Sequence, residues 1–179
     1  MDFHNSREIE DKLQAPVPIT TTTFSKMIVG IIESWIGALI VLPISLLFMG
    51  SNLNITMNFT EILWLILILI LSSFASATLG LLVGTIVKPS QIAAMFPGFL
   101  MPVIFAGAVF FTWESLSVIP IDQIIVLINP LVYINEALRY VMISPANAMP
   151  LVWSIVGIIV FTVLMGIWGM RRFKKMASS

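Results

Sequence analysis

Long runs without a single charge constrain this chain more than anything else in it. No Asp, Glu, Lys or Arg occurs from Ser34 to Thr60, from Ile62 to Val87, from Pro89 to Trp113 or from Tyr140 to Met170. About 20 consecutive apolar residues in a helix cross the roughly 30 Å hydrocarbon layer of a bilayer. The composition agrees: 59% of the 179 residues are hydrophobic and 10% are charged, where soluble domains carry about 25% charge. A water-soluble fold of this size could not bury that much apolar surface. The reading is an all-α integral membrane protein with four transmembrane helices, near residues 27–49, 62–87, 90–111 and 150–170.

The few charges that remain set the orientation, because short cytoplasmic loops collect Lys and Arg. Four spans place both termini on one side. Arg7, Lys12, Lys26, Lys88, Arg171, Arg172, Lys174 and Lys175 fall there, and Arg139 alone falls opposite. Both termini are therefore expected in the cytoplasm, with the protein multi-pass in the plasma (inner) membrane. Residues 1–26 form a cytoplasmic segment, 27–179 the transmembrane domain, and 171–179 a basic cytoplasmic tail. The opening MDFHNSREIEDK has neither the apolar core nor the basic start of a signal peptide. Nine basic residues balance nine acidic ones, with no bias toward nucleic acid. Cysteine is absent, which excludes disulfides and thiolate chemistry.

The stretch 119–144 does not fit four spans. Pro120 and Pro130 cut it, and Asp122, Glu136 and Arg139 charge it. Helical pieces over 121–129 and 131–144 would measure about 14 Å and 21 Å at 1.5 Å per residue, too short to span singly. Asn129-Pro130 is a turn signal. Two arrangements satisfy this pattern: a helical hairpin that re-enters the bilayer from the outer side, or an amphipathic hairpin on the outer surface. In either, Glu136 and Arg139 stand three residues apart on one helical face and can neutralise each other.

Within the spans, Ser72, Ser76, Gly80 and Gly84 recur every fourth residue, the spacing at which small side chains let membrane helices approach closely. Pro97, Pro102 and Gly107 predict a kinked third span, whose freed carbonyls either line a path or are capped by neighbours. Glu33 lies about two turns inside the first span, seven residues after Lys26 on the same face. It is either an intramembrane acid with a function or an interfacial charge that reaches water. In the amino-terminal segment, Asn5 and Glu8 suit a helix start, and Ile9 and Leu13 share one face of a short amphipathic helix that Pro16 and Pro18 end. No P-loop, zinc-binding or paired-carboxylate pattern occurs. The chain is not read as an enzyme and carries no cofactor of its own; any ATP-driven work needs a nucleotide site on another subunit.

Three groups of residues resemble the permease subunit of type-2 ABC exporters: R-E-I-E-D-K-L-Q-A-P-V-P at 7–18, followed directly by a span; F-A-G-A-V-F-F at 105–111, then Pro120; and N-P-L-V-Y-I-N-E-A-L-R at 129–139, then a last span and the tail R-R-F-K-K. The resemblance implies that the 7–16 segment is a coupling helix seated in a groove of a P-loop ATPase. Arg7, Glu8, Ile9, Glu10, Asp11 and Leu13 are then the contact residues. It also implies that 119–144 is the outer re-entrant hairpin, with Asn129, Pro130, Tyr133, Glu136 and Arg139 as its signature residues. Family permeases have six spans, and the two that precede the coupling helix have no counterpart here. The resemblance therefore implies the carboxy-terminal two-thirds of a permease: a truncated frame, a split gene or a mis-called start. The expected function is the membrane half of an ATP-driven exporter of drug, lipid or polysaccharide-type substrates. Its expected partners are an ATPase subunit holding the ATP, a second permease chain and membrane lipid. The alternatives are a small four-span interaction or regulatory protein and an inert permease fragment.

Overall fold

The computed structural model describes residues 19–49, 58–87 and 89–177. These residues are helical throughout apart from turns, with no strand among them. Six helices organise them: α1 (Ile19–Met49), α2 (Phe59–Ile86), α3 (Ala93–Phe105), α4 (Pro120–Ile125, prolonged by a 3-10 turn at Val126–Ile128), α5 (Pro130–Met142) and α6 (Leu151–Ala177).

Three of these, α1, α2 and α6, are long and apolar enough to cross a bilayer. Several of their hydroxyl side chains show how polar atoms survive in such helices, by donating to a carbonyl of their own helix. Ser25 donates to Thr21 at 2.9 Å, Ser45 to Val41 at 2.8 Å, Ser73 to Ile70 at 2.7 Å and Thr162 to Ile158 at 2.6 Å. At the start of α2 the Glu61 carboxylate accepts the Asn58 backbone N–H at 2.9 Å, satisfying a donor left free by the helix end.

The expected third span is the element that departs from the sequence reading. In place of a continuous helix over 90–111, a 3-10 turn at Pro89–Gln91 leads into α3, which ends at Phe105. Its middle is a π turn, Phe96–Leu100, in which the Met101 N–H reaches back to the Phe96 carbonyl. Pro97 and Pro102 are the cause: neither can donate to the preceding turn, and the backbone widens around them. Thirteen residues at 1.5 Å make about 20 Å, short of a full crossing. Among the described residues three helices are long and apolar enough to cross a membrane, or four if the bent pair over 120–142 is one span, and the helix in the place of the expected third span is short and broken.

The break in 119–144 falls at Asn129, where α4 with its 3-10 turn meets α5 at 105°. Pro130 opens α5, and the Asn129 side-chain oxygen accepts the Leu131 N–H at 3.0 Å as an N-cap. Both pieces lie within two residues of the expected ranges.

The core is built where α5 packs across α2 and α6. Ile68 and Ala75 of α2, Ala137 and Val141 of α5, and Ile158 of α6 form one buried cluster. Ala108, Val126, Val132 and Met149 form a second, under the α3–α4 connection. The long helices come within ordinary contact at two glycines: a Cβ at Gly30 of α1 would stand 3.5 Å from Ala77 Cβ, and one at Gly166 of α6 would stand 3.4 Å from Thr78 Cγ2. Dispersion at this range is what holds helices together in lipid, where the hydrophobic drive is absent.

Candidate functional site

Two polar features interrupt the apolar bundle, one beside the first half of α2 and one beside its second half. The first is centred on Glu136, whose side chain is fully buried. A buried carboxylate persists only when its lone pairs are filled. Here the Oε1 atom accepts the backbone N–H of Trp113 at 3.0 Å and a hydrogen bond from the Arg139 guanidinium, and Oε2 accepts the Met149 N–H at 2.8 Å. The expected Glu136–Arg139 pair forms. The same carboxylate also gathers the chain from α3 to α4 and the entry to α6, a role that no residue pattern announces.

Other side chains of this helix complete the knot. Helix ends leave carbonyls unpaired, and the exit from α3 is a case in which distant residues cap them. The Asn129 amide donates to the Val103 carbonyl at 2.6 Å, the Asn135 amide to Gly107 at 2.7 Å, and Arg139 to Ala108 at 2.9 Å. The capped groups are thus one carbonyl in the last turn of α3 and two in the turn that follows it, not those freed at its prolines. Ala108 takes φ 58°, a left-handed conformation rare outside glycine and here enclosed in the core. Gly107 is required by close approach: its Cβ would sit 2.9 Å from Leu131 Cβ. The Trp113 indole donates to Gln123 O, and the Gln123 amide donates back to Trp113 O, both at 3.2 Å. The Tyr133 hydroxyl donates to Leu127 O at 2.9 Å.

Of the five residues singled out around the hairpin, Asn129, Glu136 and Arg139 bond into this knot, Tyr133 bonds to Leu127 O, and Pro130 opens α5. Asn135, Trp113 and Gln123 belong to the knot as well. The signal that could have found Asn135 was its position one helical turn before Arg139, a second strong donor in an otherwise apolar helix. Trp113 and Met149 contribute backbone groups, which no side-chain pattern reveals.

The second feature is a cleft of about 620 Å³ between α1, α2 and the end of α6. Lys26, Glu33 and Ser34 line it from α1, Ser76, Gly80, Gly84 and Thr85 from α2, and Phe173 from α6. The small-residue stripe is placed differently from a helix-packing seam. Among the described residues, a Cβ added at Gly80 or Gly84 would meet nothing within 4 Å. The packed face of α2 lies one or two residues on, through Ala77 against Gly30, Thr78 against Gly166, and Leu81 against Gly169. Ser72 is apart from the cleft lining, with its hydroxyl oxygen buried and unpartnered. Glu33 faces the cleft and is exposed.

Pro97 and Pro102 stay in the broken α3 and do not line the cleft; Pro102 precedes Val103, whose carbonyl the knot holds. Arg7, Glu8, Ile9, Glu10, Asp11 and Leu13 lie outside the described residues.

Compared with known families, residues 4–143 match the family model described as ABC-2 type transporter, a stretch that runs through α5 and stops before α6. No curated protein and no solved structure matches the chain.

Proposed function

This chain belongs to the ABC-2 type transporter family, matched over residues 4–143, and from that premise we propose that it is the permease subunit of an ATP-driven ABC exporter. The observation that carries the proposal is the family match together with three helices of bilayer-crossing length. ATP is bound and hydrolysed by a separate P-loop subunit, and this chain supplies no catalytic group. The amino-terminal segment is its coupling helix, with Ile9 and Leu13 seated in the ATPase and Glu8, Glu10 and Asp11 making polar contacts. Both termini face the cytoplasm of the cell that carries it, and a second permease chain completes the path.

Alternating access requires that ATP and substrate bias the same two arrangements of the bundle. The Glu136 knot supports a division of labour within it. The side chains of Asn129, Asn135, Glu136 and Arg139 hold the end of α3, the hairpin and the entry to α6 through directional hydrogen bonds. Elements tied this way move as one body, because packed interiors transmit displacement and do not stretch. Motion is then concentrated in the long helices at the opposite end, where the cleft opens beside the contact of α1 with α2.

Purification of the tagged full chain from its native membrane in mild detergent tests this reading. A P-loop ATPase should co-purify with the parent. The double substitution Ile9→Asp, Leu13→Asp should release at least about nine-tenths of it, since placing carboxylates at two apolar contacts costs several kcal/mol. Membrane insertion should be unaffected. An ATPase that stays bound to the double variant overturns the coupling-helix assignment. A parent that brings down only other membrane proteins overturns the exporter reading in favour of an interaction or regulatory protein.

A further inference from the structure

An acidic side chain inside a bilayer-crossing helix is costly, and those that persist face a partner charge or a cavity. Glu33 lies within the apolar window Phe24–Ser45 of α1. It is separated from Lys26 by seven residues, about 10 Å along the axis at 1.5 Å per residue, and makes no ion pair with it or with any other described residue. It faces the cleft between α1, α2 and α6.

Two of the hydroxyls around it, those of Ser34 and Thr85, share one character. The Ser34 hydroxyl donates its proton to Gly30 O at 2.8 Å, and the Thr85 hydroxyl donates to Leu82 O at 2.7 Å. Their donors are spent on their own helices, so what they offer the cleft is lone pairs. With the Glu33 carboxylate, which only accepts, these three side chains present acceptors and call for a ligand that donates, beside the hydroxyl of Ser76. Lys26 is the one cationic group among the described lining residues, seven residues from Glu33 toward the helix start. Phe173 adds an aromatic ring, the surface to which ammonium groups are drawn. Along α2, Gly80 and Gly84 leave open space for an apolar body. The volume, about 620 Å³, lies in the range of roughly 300–1,000 Å³ that takes one drug-sized molecule.

We propose that this cleft is a binding site for a lipophilic organic monocation. The ammonium pairs with Glu33 and hydrogen-bonds to the lone pairs of Ser34 and Thr85, and the apolar body lies against Gly80 and Gly84. The site is read from this chain's own residues and does not depend on the permease assignment, because binding needs neither ATP nor the ATPase.

The test uses the full chain in lipid nanodiscs and two fluorescent probes: N-dansylcadaverine, a primary ammonium, and its N-acetylated, neutral counterpart. The parent should bind the ammonium probe saturably and the neutral one at least about tenfold more weakly, as expected for the loss of one charge-assisted hydrogen bond. Glu33→Gln should weaken the ammonium probe by about the same factor and leave the neutral probe unchanged, while Glu33→Asp retains most of the affinity. Gly80→Leu, which fills the cleft, should weaken both probes. Lys26→Gln should leave ammonium binding intact or tighten it. Equal affinity for the two probes, or full affinity in a folded Glu33→Gln protein, overturns the proposal. So does the absence of saturable binding to the parent, the result expected if a helix of another chain fills the cleft. Co-purification of the ATPase, read on the same preparations, reports on the permease assignment separately: either result can fail while the other stands.

Discussion

Replacing Glu136 with alanine is expected to destabilise the protein by roughly 3–5 kcal/mol, the cost of breaking a buried, fully hydrogen-bonded charge pair. For a chain of this size that corresponds to about 10 °C in the midpoint of thermal unfolding. The cost lies in the groups that the carboxylate leaves behind. Three donors converge on it, the backbone N–H groups of Trp113 and Met149 and the Arg139 guanidinium, and its side chain is fully buried. Alanine strands the two N–H groups and leaves the guanidinium only its bond to the Ala108 carbonyl. Removing the other partner is milder. Arg139 is 15% exposed, and in an Arg139→Met protein the carboxylate keeps its two backbone donors, so a loss of about half as much is expected. The double variant Glu136→Met, Arg139→Met should be more stable than Glu136→Ala alone, because it removes the uncompensated guanidinium. Its two unpaired N–H groups, at about 1–3 kcal/mol each, still keep it below the parent. Thermal unfolding of the four proteins in nanodiscs, arranged as a double-mutant cycle, measures the coupling directly. Two single losses that are small and simply add would show that the carboxylate does not hold these segments together.

That knot also marks how far the sequence could be read. The three long helices were legible because an uncharged run of sufficient length has one solution in lipid. The break at Asn129-Pro130 was legible because proline cannot donate and asparagine caps the helix that begins after it, a local matter settled within three residues. The Glu136–Arg139 pair was legible from helical spacing. Trp113 and Met149 were not, since a backbone N–H looks the same at every position and only the fold decides which one turns inward. The third span was legible only in part, for a related reason: its prolines announced a kink, but length and hydropathy over 90–111 are those of a span. What shortens it is the exit at Gly107 and Ala108, held by carbonyl caps from Asn135 and Arg139 on another helix. The small-residue stripe shows a third kind of limit. A period of four locates a face but not what lies against it, and the neighbours of α2 chose the face of Ala77 and Leu81, leaving Gly80 and Gly84 to line a cleft.

Gly157 carries the other large effect, and substitution there should separate packing from hydrogen bonding in the same region. A Cβ at this position of α6 would stand 2.2 Å from Tyr133 Cδ1 and 2.5 Å from Cε1 and Cγ. Such an overlap must be relieved by movement, and little can move. The Tyr133 ring is fixed at its far end by the hydroxyl bond to Leu127 O, 2.9 Å, and flanked by Phe161, whose ring centre lies 5.6 Å away. To admit even alanine, the ring must swing and break that bond, or α6 must withdraw from α5 and open the cluster of Ala137, Val141 and Ile158. Gly157→Ala is therefore expected to cost about 2–3 kcal/mol, the upper range for overpacking a core plus one hydrogen bond, and Gly157→Leu to prevent stable folding. A cavity-forming partner supplies the control. Tyr133→Ala alone should destabilise by about 3–5 kcal/mol, but Gly157→Ala placed in that background should cost less than about 0.5 kcal/mol, because the ring it strikes is gone. If Gly157→Ala costs the same with and without the tyrosine ring, the overlap is not what requires glycine here. The close contact of α5 with α6 would then rest on the Glu136 knot and the aliphatic core alone.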